Sequence, residues 1–162
     1  FMGEEWGAST PFAFFSDHGE EIGPRVSAGR KAEFARMGWG DAVPDPQARA
    51  TFESSFLDWD EAKRGTHAAL LDFYRSLLVI RRQRGEIHRG DFDSIKVEVL
   101  TEGGILMHRG RLSILASRGD APVTWEASSP LWLRASFGAG TLKKSTLSLT
   151  GAGAIVCERS DG

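Results

Sequence analysis

The sequence predicts an α+β chain: helices and aromatic loops to about residue 90, then an antiparallel β-sandwich. Three observations carry this. Apolar residues recur at three- and four-residue spacing within 66–84, but alternate with polar ones beyond 94. Most aromatic residues precede residue 90, whereas the later runs are short and separated by Gly, Ser, Asp and Pro. The stretch "RGEIHRGD" (84–91) lies where the period changes, so residues 1–90 and 91–162 are read as separate parts.

The opening "GEEWGASTPFAFFSDHGEEIG" has no clean period and reads as a loop. "GPRVSAGRKAEFARMGW" reads as a helix. Pro24 suits a first helical position, Val26, Arg30, Glu33, Phe34 and Met37 share a side, and Gly38 and Gly40 stop it. "DAVPDPQARATFESSFLDW" is expected to be irregular because Pro44 and Pro46 block regular structure. Residues 66–84 form the strongest helix, with Thr66 as a cap. Leu70, Phe73, Tyr74, Leu77, Leu78 and Ile80 give it a broad apolar face, and Arg81, Arg82 and Arg84 suit its C-terminal dipole. Beyond 94, about seven strands are expected. Ile95, Val97 and Val99 alternate with Lys96 and Glu98, and Leu147 and Leu149 flank Ser148. Leu131, Leu133 and Ala135 are expected on one strand face, with Trp132, Arg134 and Ser136 on the other.

The two parts differ in how much core they can build. Each Leu or Phe left exposed forfeits about 1.5–3 kcal/mol, and residues 1–90 offer few partners for the apolar side of 66–84. That side is expected to pack on the sandwich or on a second molecule, and residues 1–90 read as a piece of something larger.

The chain has 162 residues, a formal net charge of −2 and a pI of about 6.1, so no global field favours nucleic acid or an anionic membrane. No apolar run has the length of a membrane helix, and no secretory leader is visible. The single cysteine, Cys157, forms no intrachain disulfide and suits a reducing, cytoplasmic setting as a buried apolar residue. No Cys/His spacing suggests a metal, and no cofactor is expected. Asp45, Asp58 and Asp60 read as turn and cap residues, and His67 as a first-turn helix residue.

The stretch "FMGEEWG" resembles the end of the eighth barrel strand in the α-amylase superfamily, where an apolar strand runs into Gly-Glu-Glu. "STPFAFFSDH", "GRKAEFARMGW", "VPDPQARATFESSFLDW" and "HAALLDFYRSLLVIRR" follow in the order seen in malto-oligosyltrehalose trehalohydrolases. The resemblance covers residues 1–86, and the β-rich remainder matches in kind. It implies that 1–90 is the last βα segment of a (β/α)₈ barrel and 91–162 a C-terminal sandwich. It also implies retaining hydrolysis of the α-1,4 glucosidic bond next to a terminal trehalose, with malto-oligosyltrehalose as substrate. The catalytic carboxylates of this superfamily are expected upstream, in the missing N-terminal part of the barrel, so no catalytic residue is assigned here and the chain alone is expected to be inactive.

Substrate contacts are assigned to Glu5, Trp6, Phe14, Phe15, Asp17, His18 and Glu4. Adjacent residues on an extended strand point to opposite faces, so Glu4 and Glu5 make a poor catalytic pair. One of them satisfies nearby donors, and on resemblance Glu5 is the better sugar contact. Trp6, Phe12, Phe14 and Phe15 suit either local burial or sugar stacking. Asp17 and His18 suit either glucose hydroxyls or a turn. Trp132 suits either an auxiliary glucan contact or inter-domain packing. Two alternatives stay open: the C-terminal part of a glycogen branching enzyme, which shares "LDW" and a helix beginning at His, and a non-catalytic glucan-binding β-sandwich.

Overall fold

The computed structural model describes residues 1–39, 42–88, 92–100, 103–119 and 121–160, with Glu86 and His88 described by backbone alone. The chain forms two compact units, Phe1–Ala68 and Ala69–Gly162. The division therefore falls inside the long helix rather than near residue 90.

The first unit begins with a single 3₁₀ turn over Glu4–Trp6, not an extended strand end. Gly3 (φ 79°) and Gly7 (φ 63°) bracket this turn in the left-handed region, which only glycine enters without strain. Helix α1 spans Gly23–Ala35 with a proline in its first turn, and Gly38 at φ 81° follows its end. The Pro-rich stretch carries a short helix, α2, over Arg49–Glu53. The sequence reading missed it because the prolines end three residues before it starts, and Ala48 is already extended (ψ 129°). Among the described residues of this unit, Trp6 is the one buried large apolar side chain, at 2% exposure. The unit is held instead by ring contacts, Phe12–Phe15 tilted and Phe15–Phe52 and Phe52–Phe56 edge-on, at 4.8–5.8 Å, and by polar clips.

Helix α3 (Gly65–Gln83) is the longest helix and is followed by the short α4 (Gly85–His88). It starts at Gly65, so Thr66 lies in its first turn rather than at its cap. Six strands follow among the described residues: β1 Ile95–Val99, β2 Gly104–Arg109, β3 Leu112–Ser117, β4 Val123–Glu126, β5 Leu131–Lys143 and β6 Thr146–Arg159. They form one antiparallel sheet of order β1-β2-β3-β6-β4, with β5 also paired to β6. This corrects the expected two-sheet sandwich of about seven strands. The early half of β6 pairs with β4 and its late half with β3, while β5 runs along both. One sheet thus curls over itself, with the long hairpin serving both layers.

The bend lies where glycines meet. Gly138 pairs with Gly153, and the register shifts between Gly138 and Gly140. Gly138 has φ +80°, and a Cβ there would lie 2.4 Å from the Ala152 carbonyl oxygen. Inside the curl, Leu106, Leu115, Val123, Ala127, Leu131, Leu147, Leu149, Ile155 and Cys157 form the core. On the other face Ile80, Phe73, Leu77 and Ile87 pack with Leu112, Ala135 and Val156. That packing makes α3 part of the sheet's unit beyond Ala68. Leu70 and Tyr74 are half-buried, while Leu78 is 47% exposed.

A second register shift, between Leu133 and Ala135, separates residues expected on one face. Leu131 enters the inner core, Ala135 faces the helix and Leu133 is 52% exposed. Glu158, 7% exposed, meets Arg84 at 2.5 Å, Arg134 at 3.6 Å and Arg111 at 3.7 Å. Its carboxylate thereby links Arg84, the residue just after α3, to the sheet. Gly138→Ala is expected to destabilise the protein by about 2 kcal/mol or more, through forbidden φ and steric overlap. Gly151→Ala, whose Cβ meets nothing within 4 Å, should stay within about 0.5 kcal/mol of wild type. Urea denaturation of both variants reads the contrast.

Candidate functional site

The aromatic loop is laid along the Pro-rich segment by four donors. Ala13 N–H donates to Ser55 Oγ at 3.2 Å and Ser16 N–H to the Pro46 carbonyl at 2.9 Å. His18 N–H donates to Gln47 Oε1 at 3.0 Å, and Gln47 Nε2 donates to Ser16 Oγ at 2.5 Å. Asp45 braces the other side, its Oδ1 accepting from Gln47 N–H at 3.0 Å and from the Ser27 hydroxyl at 2.5 Å. The Ser27 bond first, then the Gln47 amide, holds the Asp45 carboxyl below its ordinary value of 3.8. Thr51 Oγ1 donates to the Asp45 carbonyl at 2.6 Å.

Between the two segments opens a cleft of about 630 Å³ lined by Phe15, Ser16, Asp17, Pro46, Gln47, Ala48, Arg49 and Phe52. Asp17 and His18 are exposed, and among the described residues their side chains have no hydrogen-bond partner. A free carboxylate beside an aromatic floor offers acceptors to hydroxyls and a face to C–H groups. Phe14, 51% exposed, turns instead to Arg30, whose guanidinium lies 4.7 Å from the Phe14 ring centre and 4.4 Å from that of Phe34.

The opening turn stands apart from this cleft. Trp6 is packed rather than presented: its ring lies 5.2 Å from that of Trp59, and its carbonyl meets His67 Nδ1 at 2.8 Å, which must then carry the proton. Its indole N–H is buried without a partner among the described residues. Glu4 is exposed, while Glu5 is half-buried. In a 3₁₀ turn successive side chains diverge by about 120°, so Glu4 and Glu5 still aim at different places, for a reason other than strand alternation. Nearby, Ser9 bonds Glu61 through both N–H and hydroxyl and holds that carboxyl low.

The assigned residues thus fall into three places: Phe15 and Asp17 line the cleft with His18 next to them in the chain, Phe14 lies on the Arg30 stack, and Glu4, Glu5 and Trp6 form the opening turn. Gln47, Arg49 and Phe52 were missed because they sit in a stretch read as irregular. Among the described residues, no group of three or more His, Cys, Asp or Glu could hold a metal. Cys157 is fully buried and its thiol is pushed up to about 11 by burial, which makes it a poor nucleophile.

No protein-family model matches the chain. It is 46% identical over 127 residues to a malto-oligosyltrehalose trehalohydrolase of Rhizobium sp. (strain M-11), a match covering 76% of this chain and 21% of that protein. The chain belongs to the malto-oligosyltrehalose trehalohydrolase family. The trehalohydrolase of Mycobacterium tuberculosis (strain CDC 1551 / Oshkosh) is 42% identical over 136 residues, covering 82% of this chain and 23% of that protein. The chain therefore spans about a fifth of the length of the curated trehalohydrolases it matches. A crystal structure given as an α-amylase of Salmonella typhimurium matches at a TM-score of 0.75 and 28% identity, over 98% of this chain and 27% of that one. The chain thus shares the fold of the matching quarter of that α-amylase structure.

The Asp45 brace should weaken in acid. A carboxyl held low in the fold stabilises it fully above its ordinary value and loses that contribution as pH falls through the lower folded value. Asp45→Asn should therefore be less stable than wild type near neutral pH, and the difference should vanish well below pH 3.8. Thermal melts across that range check it.

Proposed function

We propose that this chain is the C-terminal portion of a retaining α-glycosidase that hydrolyses the α-1,4 glucosidic bond next to the terminal trehalose of malto-oligosyltrehalose, releasing trehalose. The observation that supports this most is the shared sequence with trehalohydrolases across three-quarters of the chain. Residues 1–90 would close a (β/α)₈ barrel and 91–162 form the C-terminal β-domain. The exposed rings of the first unit fit that reading: Phe52, Phe56, Trp39 and Trp59 are 43–67% exposed, more apolar surface than a finished domain leaves in water.

Retaining hydrolysis needs a carboxylate nucleophile and a carboxylic acid about 5–5.5 Å apart. Glu4 and Glu5 diverge, so we place both catalytic groups in the upstream part of the enzyme. Phe15, Asp17 and His18 supply a wall of the site, the ring against sugar C–H groups and the polar pair toward hydroxyls. Glu5 and Phe14 are carried in the proposal as flanking contacts. Trp132, 64% exposed on β5, favours a second reading in which the sheet itself binds glucan without catalysis.

The test is trehalose release from malto-oligosyltrehalose. The intact enzyme carrying this segment should release it, and the 162-residue chain alone should not. Asp17→Ala in the intact enzyme should cost about 1–3 kcal/mol of transition-state binding, as kcat/KM. Turnover by the isolated chain that disappears on Glu4→Gln or Glu5→Gln would overturn the assignment. Maltotriose binding to the chain that is abolished by Trp132→Ala alone would favour the second reading.

A further inference from the structure

We infer that Gln47 is a positioning residue for the glucan site, its carboxamide holding the Ser16 hydroxyl and the His18 backbone N–H on either side of Asp17 so that the carboxylate stands over the cleft. The inference rests on the reading of Asp17 as a sugar contact. The amide's orientation follows from its partners: His18 N–H only donates, so the Gln47 oxygen must face it at 3.0 Å and the amide nitrogen must face Ser16 Oγ at 2.5 Å. One side chain thereby staples residues 16 and 18, and the residue between them is left with a free carboxylate. Gln47 is itself fixed from two directions. Its own N–H is held by Asp45 at 3.0 Å. Gly23, at the start of α1, lets the helix close on it, since a Cβ there would lie 3.0 Å from Gln47 Oε1 and 3.2 Å from the His18 carbonyl oxygen. Ser16, Asp17 and Gln47 all line the same cleft, so a shift of the staple moves the Asp17 carboxylate relative to the floor formed by Phe15 and Phe52.

The test uses the intact enzyme with malto-oligosyltrehalose, together with hydrogen exchange of the His18 amide. Gln47→Ala should raise KM about tenfold with little change in kcat, as loss of binding equal in ground and transition states does. It should also speed exchange at His18 about tenfold without moving the global unfolding midpoint to match. Gln47→Glu should rescue both readings, because its carboxylate still accepts from His18 N–H and the Ser16 hydroxyl can turn to donate. Asp17→Ala sets the reference, and the double variant should be no worse than Asp17→Ala alone. A raised KM in Asp17→Ala with an unchanged KM in Gln47→Ala would overturn this inference and leave the site reading standing. An unchanged KM in Asp17→Ala would overturn the site reading instead, and the His18 exchange rate would then show whether the staple holds the loop. Equal impairment in the Ala and Glu variants, or a lowered unfolding midpoint with KM unchanged, would reduce Gln47 to a structural role and overturn the inference.

Discussion

The close approach of two backbones at the bend of the β5–β6 hairpin is the constraint on which the second unit depends. Gly138 faces Gly153 where a methyl group on either would strike the opposite chain's carbonyl oxygen, at 2.4 and 2.5 Å. With no side chain in the way, one pair of long strands passes from one layer to the other. The inner core then fills from both halves of the same sheet, and Leu106, Leu115, Leu147, Leu149 and Ile155 are fully buried. A flat sheet of these strands could not enclose them. The outer face, left apolar by Leu112, Ala135 and Val156, takes helix α3, and the arginines around Glu158 fasten the helix end.

The first unit is built on a different principle. It has almost no buried apolar core, and its loops are placed by hydrogen bonds from short side chains. Such bonds fix direction as well as distance, which suits a site more than it suits stability. Asp45, Gln47, Thr51 and Ser55 each hold a particular backbone group, and the groups they hold flank the cleft. Phe52, Phe56, Trp39 and Trp59 stand at the surface, and the Arg30 guanidinium lies over the rings of Phe14 and Phe34.

Legibility in the sequence followed the range of the forces. Helices α1 and α3 were visible because their signals are local: a proline in the first turn, a glycine after the end, a 3.6-residue stripe. The alternation of Leu147 and Leu149 about Ser148 marked β6 for the same reason. The curl was not read, although "FGAG" and "GAG" carry it, because Gly138 and Gly153 meet only after a hairpin forms. The face of Ala135 was misjudged because a bulge breaks the alternation that the reading assumed. The compact units divide at Ala68–Ala69, a feature of packing that a change of period does not mark. At the cleft, Asp17 and Phe15 stood out as residue types suited to sugars. Gln47 did not, since its role depends on a loop 29 positions away in sequence.

In the proposed site the clamped aromatic loop presents Phe15 and Asp17 to a glucan. A crystal structure of the intact enzyme, catalytically disabled and soaked with malto-oligosyltrehalose, tests this most directly. A glucose hydroxyl is expected within hydrogen-bond distance of the Asp17 carboxylate, with a sugar face against the Phe15 ring. A bound glucan that leaves both residues covered by other parts of the enzyme would contradict it.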